Sequence, residues 1–324
     1  MSDSDGECTI ACGVCASRYS VSSGRPVLLR ADNNVFNPHS YHPNSYHPNS
    51  YHTGKPIASS KTIRFLKKIT PGASVNLSSK RLLSKLRCLL EDNASSTVLV
   101  VGGGCQRDWL NKRLNKCLNK RQRHDSSDHN QKGSIRIIYS DIDVHADVDL
   151  FCDGHDLPFK DGVFDAVITT AVLEHVLYPE RVASEIVRVL KVGGLLYSEL
   201  PFMQQVHEGA YDFTRYTMSG HRRLFNAICE IESGIVAGPG TALVWAIENF
   251  FLAFVPSSQM RKFAKVMVRF MFSWVKYFDL LLKNSPSALD AASCTYLFGR
   301  KAELRCSDNE IISNYSGAQK MRHT

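Results

Sequence analysis

No apolar run in this chain is long and uninterrupted enough to cross a bilayer. The two best candidates are broken by charge: 243–255 carries Glu248, and 263–282 carries Lys265, Arg269, Lys276 and Asp279. A secretory leader is not expected, since the first residues, MSDSDGE, are acidic and polar. The ten cysteines lack paired spacing except near the N-terminus. Reduced thiols in a cytoplasmic protein are the expectation. Aromatic residues are absent from the most basic segment, 112–123. The net charge of +8 is therefore read as solvated surface, not as a nucleic-acid site, where aromatics would interleave with the cations.

What is present suffices for one large α/β domain: 324 residues, 44% of them hydrophobic. Short apolar runs at 97–101, 135–139, 150–152, 164–169 and 195–200 are separated by turn residues or by helical pattern. The clearest helix spans 179–190. Pro179 starts it, Val182, Ile186, Val189 and Leu190 form its inward stripe, and Gly193–Gly194 are expected to end it. Strands alternating with helices imply a mostly parallel sheet, with ligands bound at the carboxyl ends of the strands. Further strands are expected at 230–235 and 293–301, with helical segments between them to about residue 282. Leu82, Leu83, Leu86, Leu89 and Leu90 recur at helical spacing after Ser78–Ser79 as caps, and are expected to cover one edge of the sheet. Thr217 is expected to cap a helix on which His221, Arg222 and Arg223 form a solvated face.

Ahead of this domain lie two segments of different character. Cys12 and Cys15, then Arg18–Tyr19 and Gly24-Arg25-Pro26-Val27-Leu28-Leu29, resemble the second half of a small zinc ribbon. Only one CxxC knuckle is present, with Cys8 as a third ligand, whereas a closed structural zinc site needs four. A degenerate, metal-free ribbon over 1–36 is favoured over a zinc site at Cys8, Cys12 and Cys15. Residues 37–58 repeat His-Pro-Asn-Ser-Tyr, with His42, His47 and His52 in phase, and read as a linker rather than a metal tract. The main domain is expected over 59–304 and a flexible tail over 305–324.

The chemistry concentrates where strands end. Thr97-Val-Leu-Val-Val runs into Gly102-Gly103-Gly104, the second strand ends in Ser140-Asp141-Ile142-Asp143, and the third stops at Asp153-Gly154-His155. An acidic residue at the second strand tip commonly holds a ribose hydroxyl pair. The run DGHDLPFKDGVFDAVITTAVLEHV, then EIVRVLKVGG, closely resembles class I methyltransferases that use S-adenosylmethionine. The resemblance covers about 97–301. It implies a Rossmann-like α/β fold: a seven-stranded sheet with helices on both faces and an antiparallel last strand.

Carried over to this chain, the resemblance sets Gly102 and Gly104 beside the cofactor's methionine and ribose. Asp141, preferred over Asp143, would bind the ribose hydroxyls. Asp153, with the backbone of Gly154 and His155, would face the adenine, and Thr169–Thr170 would floor the sulfonium. Val100 and Gln106 depart from the family's usual acidic residue and third glycine. The loop HEGAYDFTRYTMSGHRRLF supplies candidates for catalysis: His207 as general base, with Glu208 or Asp212 to orient it. Tyr211, Phe213 and Tyr216 could wall the sulfonium. His175 reads as a packing residue. The expected activity is methyl transfer to a small-molecule or glycan acceptor, at oxygen. The alternatives are a non-catalytic cofactor-binding protein and an RNA methyltransferase.

Overall fold

The computed structural model describes residues 9–13, 17–30, 33, 70–93, 95–104, 106–115, 134–143 and 145–319. Cys8, Cys15, the His42–His47–His52 repeat and nearly all of the insertion at 119–134 lie outside these residues; Cys12, within them, is half-buried.

Seven strands build the main sheet: β4 (Ser95–Val101), β5 (Ser134–Asp141), β6 (Leu150–Phe151), β7 (Phe164–Thr170), β8 (Leu190–Pro201), β9 (Ile228–Ala237) and β10 (Cys294–Lys301). Their order is β6-β5-β4-β7-β8-β10-β9. Pairing is parallel from β6 through β8, and β10 runs antiparallel to both β8 and β9. The central strands read as continuous apolar runs because both faces are covered. One face meets α3 (Pro179–Val189), through Val182, Ile186 and Val189, and α4 (Met218–Leu224), through Met218. The other meets α1 (Ser79–Glu91) and α2 (Arg107–Asn115).

Leu82, Leu83 and Leu86 of α1 are fully buried against Val98, Ile168, Tyr197 and Phe298, and each contributes about 2 kcal/mol by burial. These partners belong to central strands, so α1 covers the middle of a face and not an edge. Its start is also capped differently from expectation: Asn76 Oδ1 accepts the Ser79 N–H at 3.0 Å, and the Ser78 side chain makes no cap bond.

Helix α3 stops at Val189, because Leu190 already has extended backbone and opens β8. Gly193, at φ +76°, makes a turn inside that strand's span and does not end the helix. Thr217 caps α4 as expected, accepting from Gly220 N–H. Beyond β9, α5 (Pro239–Ala253) and α6 (Ser258–Phe272) pack together and share a buried ion cluster, in which Glu248 takes Arg269 at 2.6 Å and Lys265 at 3.1 Å. Two short helices, α7 (Asp279–Leu282) and α8 (Pro286–Asp290), lead to β10. The Asp279 carboxylate accepts from the N–H groups of Gly238, Gly240 and Thr241, closing the start of α5. No helix among the described residues is long and apolar enough to cross a membrane.

Two further expectations are corrected. The segment read as a flexible tail contains α9 (Asp308–Ser313), opened by a capping box between Ser307 and Glu310, and Tyr315 bonds to Asp290 at 2.7 Å. The face read as solvated is largely internal. His221 is fully buried between Ser198 and Thr295, and Arg222 is buried in an ion pair with Glu230 at 2.7 Å.

The N-terminal residues form a small antiparallel sheet of β1 (Thr9–Ala11), β2 (Arg18–Ser22) and β3 (Arg25–Pro26). It is docked on the large one. Val27 bridges to Phe151 in parallel sense, and Leu28 N–H donates to Phe151 O at 2.8 Å. The open edge of β6 is thereby covered.

Candidate active site

β4, β5 and β6 run parallel, so their carboxyl ends open together. At the end of β4 the chain turns sharply through Gly102, whose φ of +71° favours glycine. The N–H groups of Gly102 and Gly103 both donate to Ser140 O, at 2.9 and 3.0 Å, tying the turn to β5. Asp141 at the tip of β5 accepts from Gly104 N–H and Asp143 N–H, each at 3.0 Å. Burial pushes its carboxyl upward, against these backbone bonds. Asp143 serves a turn instead, accepting from His145 N–H at 2.9 Å.

These tips border a cavity of about 150 Å³. Its lining includes the polar side chains of Asp141, Asp153 and His155, the backbone of Gly102 and Gly154, and the apolar Ile142, Val172, Val176 and Leu177 with Tyr211 and Phe213. Asp153 is held on both oxygens. Oδ1 accepts from the His155 backbone N–H at 2.9 Å and from its Nδ1 at 2.7 Å, and Oδ2 accepts from Asn33 Nδ2 at 2.9 Å. Burial opposes charge on Asp153, but the bonds from His155 and Asn33 outweigh it and hold the carboxyl below its usual range. His155 is fixed in one tautomer: Nδ1–H donates to Asp153, and Nε2 accepts from Tyr178 N–H at 3.2 Å.

A second group adjoins the cavity through His175, which also lines it. The His175 and His207 rings meet edge to face, with their Nε2 atoms 3.2 Å apart. His175 Nδ1 lies 2.8 Å from Tyr211 O, and His207 Nδ1 lies 3.3 Å from both Gln205 O and Asp212 Oδ2. Asp212 also accepts the His207 backbone N–H at 2.9 Å and is clamped by Arg215 on both oxygens. Despite burial, Arg215 and that N–H hold the Asp212 carboxyl down at about 2. Burial lowers His175 below its ordinary value. Beside the pair, Glu174 is fully buried; neither carboxylate oxygen has a hydrogen-bond partner, and burial pushes its pKa up to about 8.

Of the residues expected at the site, Gly102, Asp141, Asp153, Gly154 and His155 meet around the cavity, while Gly104, Thr169 and Thr170 stand outside its lining. Gly104 instead anchors Asp141. The Thr169 hydroxyl is buried without a partner, and Thr170 bonds with Gln106, whose Nε2 donates to Thr170 O at 2.9 Å. His207 and Asp212 come together as expected but reach the cavity only by way of His175. Sequence reasoning missed Glu174 and Asn33. It underrated His175, whose signal was present as a histidine just after a strand carboxyl end.

Residues 121–198 match a family of methyltransferase domains, Methyltransf_11. No curated protein matches the chain in sequence. Among solved structures, the complex between the Haloferax volcanii Trm112 methyltransferase activator and a protein described as a methyltransferase contains a chain 17% identical to this one. The match covers 69% of this chain and 90% of that one, with a TM-score of 0.41. A Galdieria sulphuraria protein described as a sarcosine dimethylglycine methyltransferase is 10% identical, covering 75% and 97%, with a TM-score of 0.39. Haemonchus contortus phosphoethanolamine N-methyltransferase 2, in complex with S-adenosyl-L-methionine, is 12% identical, covering 76% and 59%, with a TM-score of 0.42. The family match covers β5, β6, β7 and most of β8, within a seven-stranded sheet that has one antiparallel strand next to its edge; this stretch of the chain is similar to methyltransferase domains.

Proposed function

We propose that the cavity at the tips of β4, β5 and β6 holds S-adenosylmethionine and that the methyl group passes to an oxygen of a small-molecule or glycan acceptor. The supporting observation is the donor set. Two carboxylates, Asp141 and Asp153, stand at successive strand tips in a cavity that aliphatic and aromatic residues also line. That combination suits a diol and a purine bound together. Asp141 takes the ribose hydroxyls and is steadied by Gly104. Asp153, fixed by Asn33 and His155, faces the adenine with the backbone of Gly154 and His155. Gly102 lets the chain pass close to the methionine and ribose portion.

The cofactor supplies an electrophilic methyl on a sulfonium, and the protein supplies position and a proton acceptor. Asp212 orients His207 from its Nδ1 side, and His207 takes the acceptor's hydroxyl proton. Tyr211 and Phe213 exclude water from the cavity side where the methyl departs. The unpaired spacing of the cysteines supports a cytoplasmic setting.

The test is a titration of the full chain with S-adenosylmethionine and with NAD, then incubation of cofactor-bound protein with acceptor pools and labelled methyl donor. Binding of S-adenosylmethionine and label transfer that His207→Ala abolishes are expected. NAD binding without a response to S-adenosylmethionine would overturn the proposal, and cofactor binding with no transfer to any pool would favour a non-catalytic role.

A further inference from the structure

Two imidazoles and one carboxylate converge beside the cavity, and their tautomers make the convergence chemically pointed. His175 gives its Nδ1–H to Tyr211 O, and His207 directs Nδ1 toward Gln205 O and Asp212 Oδ2. Each ring is thereby left with a bare lone pair on Nε2. Those two lone pairs face each other at 3.2 Å. Two acceptors at that distance repel unless a proton or a metal cation lies between them. The third group is Glu174, whose Oε1 is 3.7 Å from His175 Nε2, and whose two oxygens are buried with no donor. An orphaned carboxylate in the interior is strongly disfavoured unless it is protonated or bound to a positive charge. The ligand atoms of all three residues lie within 4.8 Å of one another.

We propose that Glu174, His175 and His207 form a binding site for one divalent transition-metal ion of the zinc type. Bonds of about 2.1 Å to one ion put neighbouring ligand atoms roughly 3.0–3.4 Å apart, which is the spacing the two imidazoles already have. Two histidines and a glutamate are a donor set that leaves coordination positions open for a substrate or water. The outer contacts fit as well. Metal-bound histidines characteristically donate their other ring N–H to a carbonyl or carboxylate, as both do here. Asp212, locked by Arg215, is a positioning residue for His207. The ion would border the cofactor cavity through His175, and an oxygen of the methyl acceptor would take an open position. In that last respect alone the inference rests on the methyltransferase function, with the ion replacing His207 as the group that lowers the acceptor's proton affinity.

The experiment uses the full chain stripped by chelator, titrated with Zn(II) by calorimetry and with Co(II) by visible absorption. Cys8, Cys12, Cys15 and the repeat histidines offer other zinc donors, so the decisive quantity is the difference between proteins. Wild type is expected to bind one more equivalent than Glu174→Gln, His175→Ala or His207→Asn, in each of which affinity at this site falls more than about 100-fold. Asp212→Asn is expected to weaken it about 10–100-fold. The lost cobalt spectrum should lack the intense thiolate charge-transfer band that cysteine ligands produce. Equal zinc stoichiometry and identical cobalt spectra in wild type and all three ligand variants would overturn the proposal. S-adenosylmethionine titrated into the same samples separates the two claims. Metal binding without cofactor binding by wild type would reject the proposed function and leave the metal site standing. Retained cofactor binding in the variants shows that they are folded, and His207→Asn, at a part-exposed position, gives the answer if buried Glu174→Gln is unstable.

Discussion

Asn33 and Asp153, 120 positions apart, meet in a 2.9 Å hydrogen bond that joins the N-terminal segment to the lining of the cavity at the strand tips. The bond stabilises the charged form of Asp153. Asn33→Ala is therefore expected to raise the Asp153 carboxyl toward its ordinary value and weaken S-adenosylmethionine binding about fivefold, the equivalent of roughly 1 kcal/mol. Because Asp153 is held low, its contribution is present above the ordinary carboxylate range and is lost as pH falls through the folded value. The variant should thus lose binding at a higher pH than wild type does. Calorimetric titrations across the acid range would show this, and superimposable curves would refute it.

The tips of β5 set Asp141 and Asp143 to different tasks. Asp141 lines the cavity, and Asp143 caps a turn through His145. Asp141→Ala is expected to weaken cofactor binding about 10–100-fold, as loss of a charged hydrogen-bonding partner does. Asp143→Ala should cost less than about threefold. Dissociation constants in the reverse order would mean that the ribose is held by the other carboxylate.

Buried His221 gives the protein an acid-side weakness. Burial, with help from Arg222, pushes it down to about 3 from an ordinary 6.5. The unfolded chain takes up this proton below 6.5, whereas the folded chain refuses it until about 3. Stability therefore falls as pH drops through that window, by about 2 kcal/mol at pH 5 from this group alone. His221→Gln, which can still bond to Ser198, should show a correspondingly flatter dependence between pH 7 and 5. Denaturant midpoints for both proteins measure it, and equal slopes would assign the acid sensitivity elsewhere.

At Gly102, a methyl group would lie 2.3 Å from Val172 Cγ2, on backbone already at φ +71°. Gly102→Ala is expected to cost about 1–3 kcal/mol of stability and to impair cofactor binding. Adding Val172→Ala relieves the clash but not the backbone strain, so the double variant should recover only part of the thermal midpoint. Full recovery would show that the dihedral costs nothing.

The sheet was legible because its physics is local. The runs at β4, β7 and β8 are continuously apolar since helices cover both faces, and Pro179 marks the start of α3 by its missing N–H. The position of Asp141 and Asp153 at strand ends was legible for a related reason, since strand tips are where polar residues interrupt apolar runs. His221 and Arg222 were misread because charge on a helix suggests solvent, and only tertiary packing reveals Ser198, Thr295 and Glu230 as partners. Glu174 was hidden in the same way. Nothing local distinguishes a carboxylate that faces water from one buried beside two imidazoles.

The docking of the first strands on β6 also sets an order of events during synthesis. Leu28 leaves the ribosome well before Phe151, its pairing partner, and at about 5–20 residues per second the gap is on the order of ten seconds. During that time the small sheet has no edge to join. Contacts of such long range are the slow ones to form, because the entropy of closing the intervening loop is lost before the contact is gained. The bond from Asn33 to Asp153 spans a loop of similar length and is subject to the same delay.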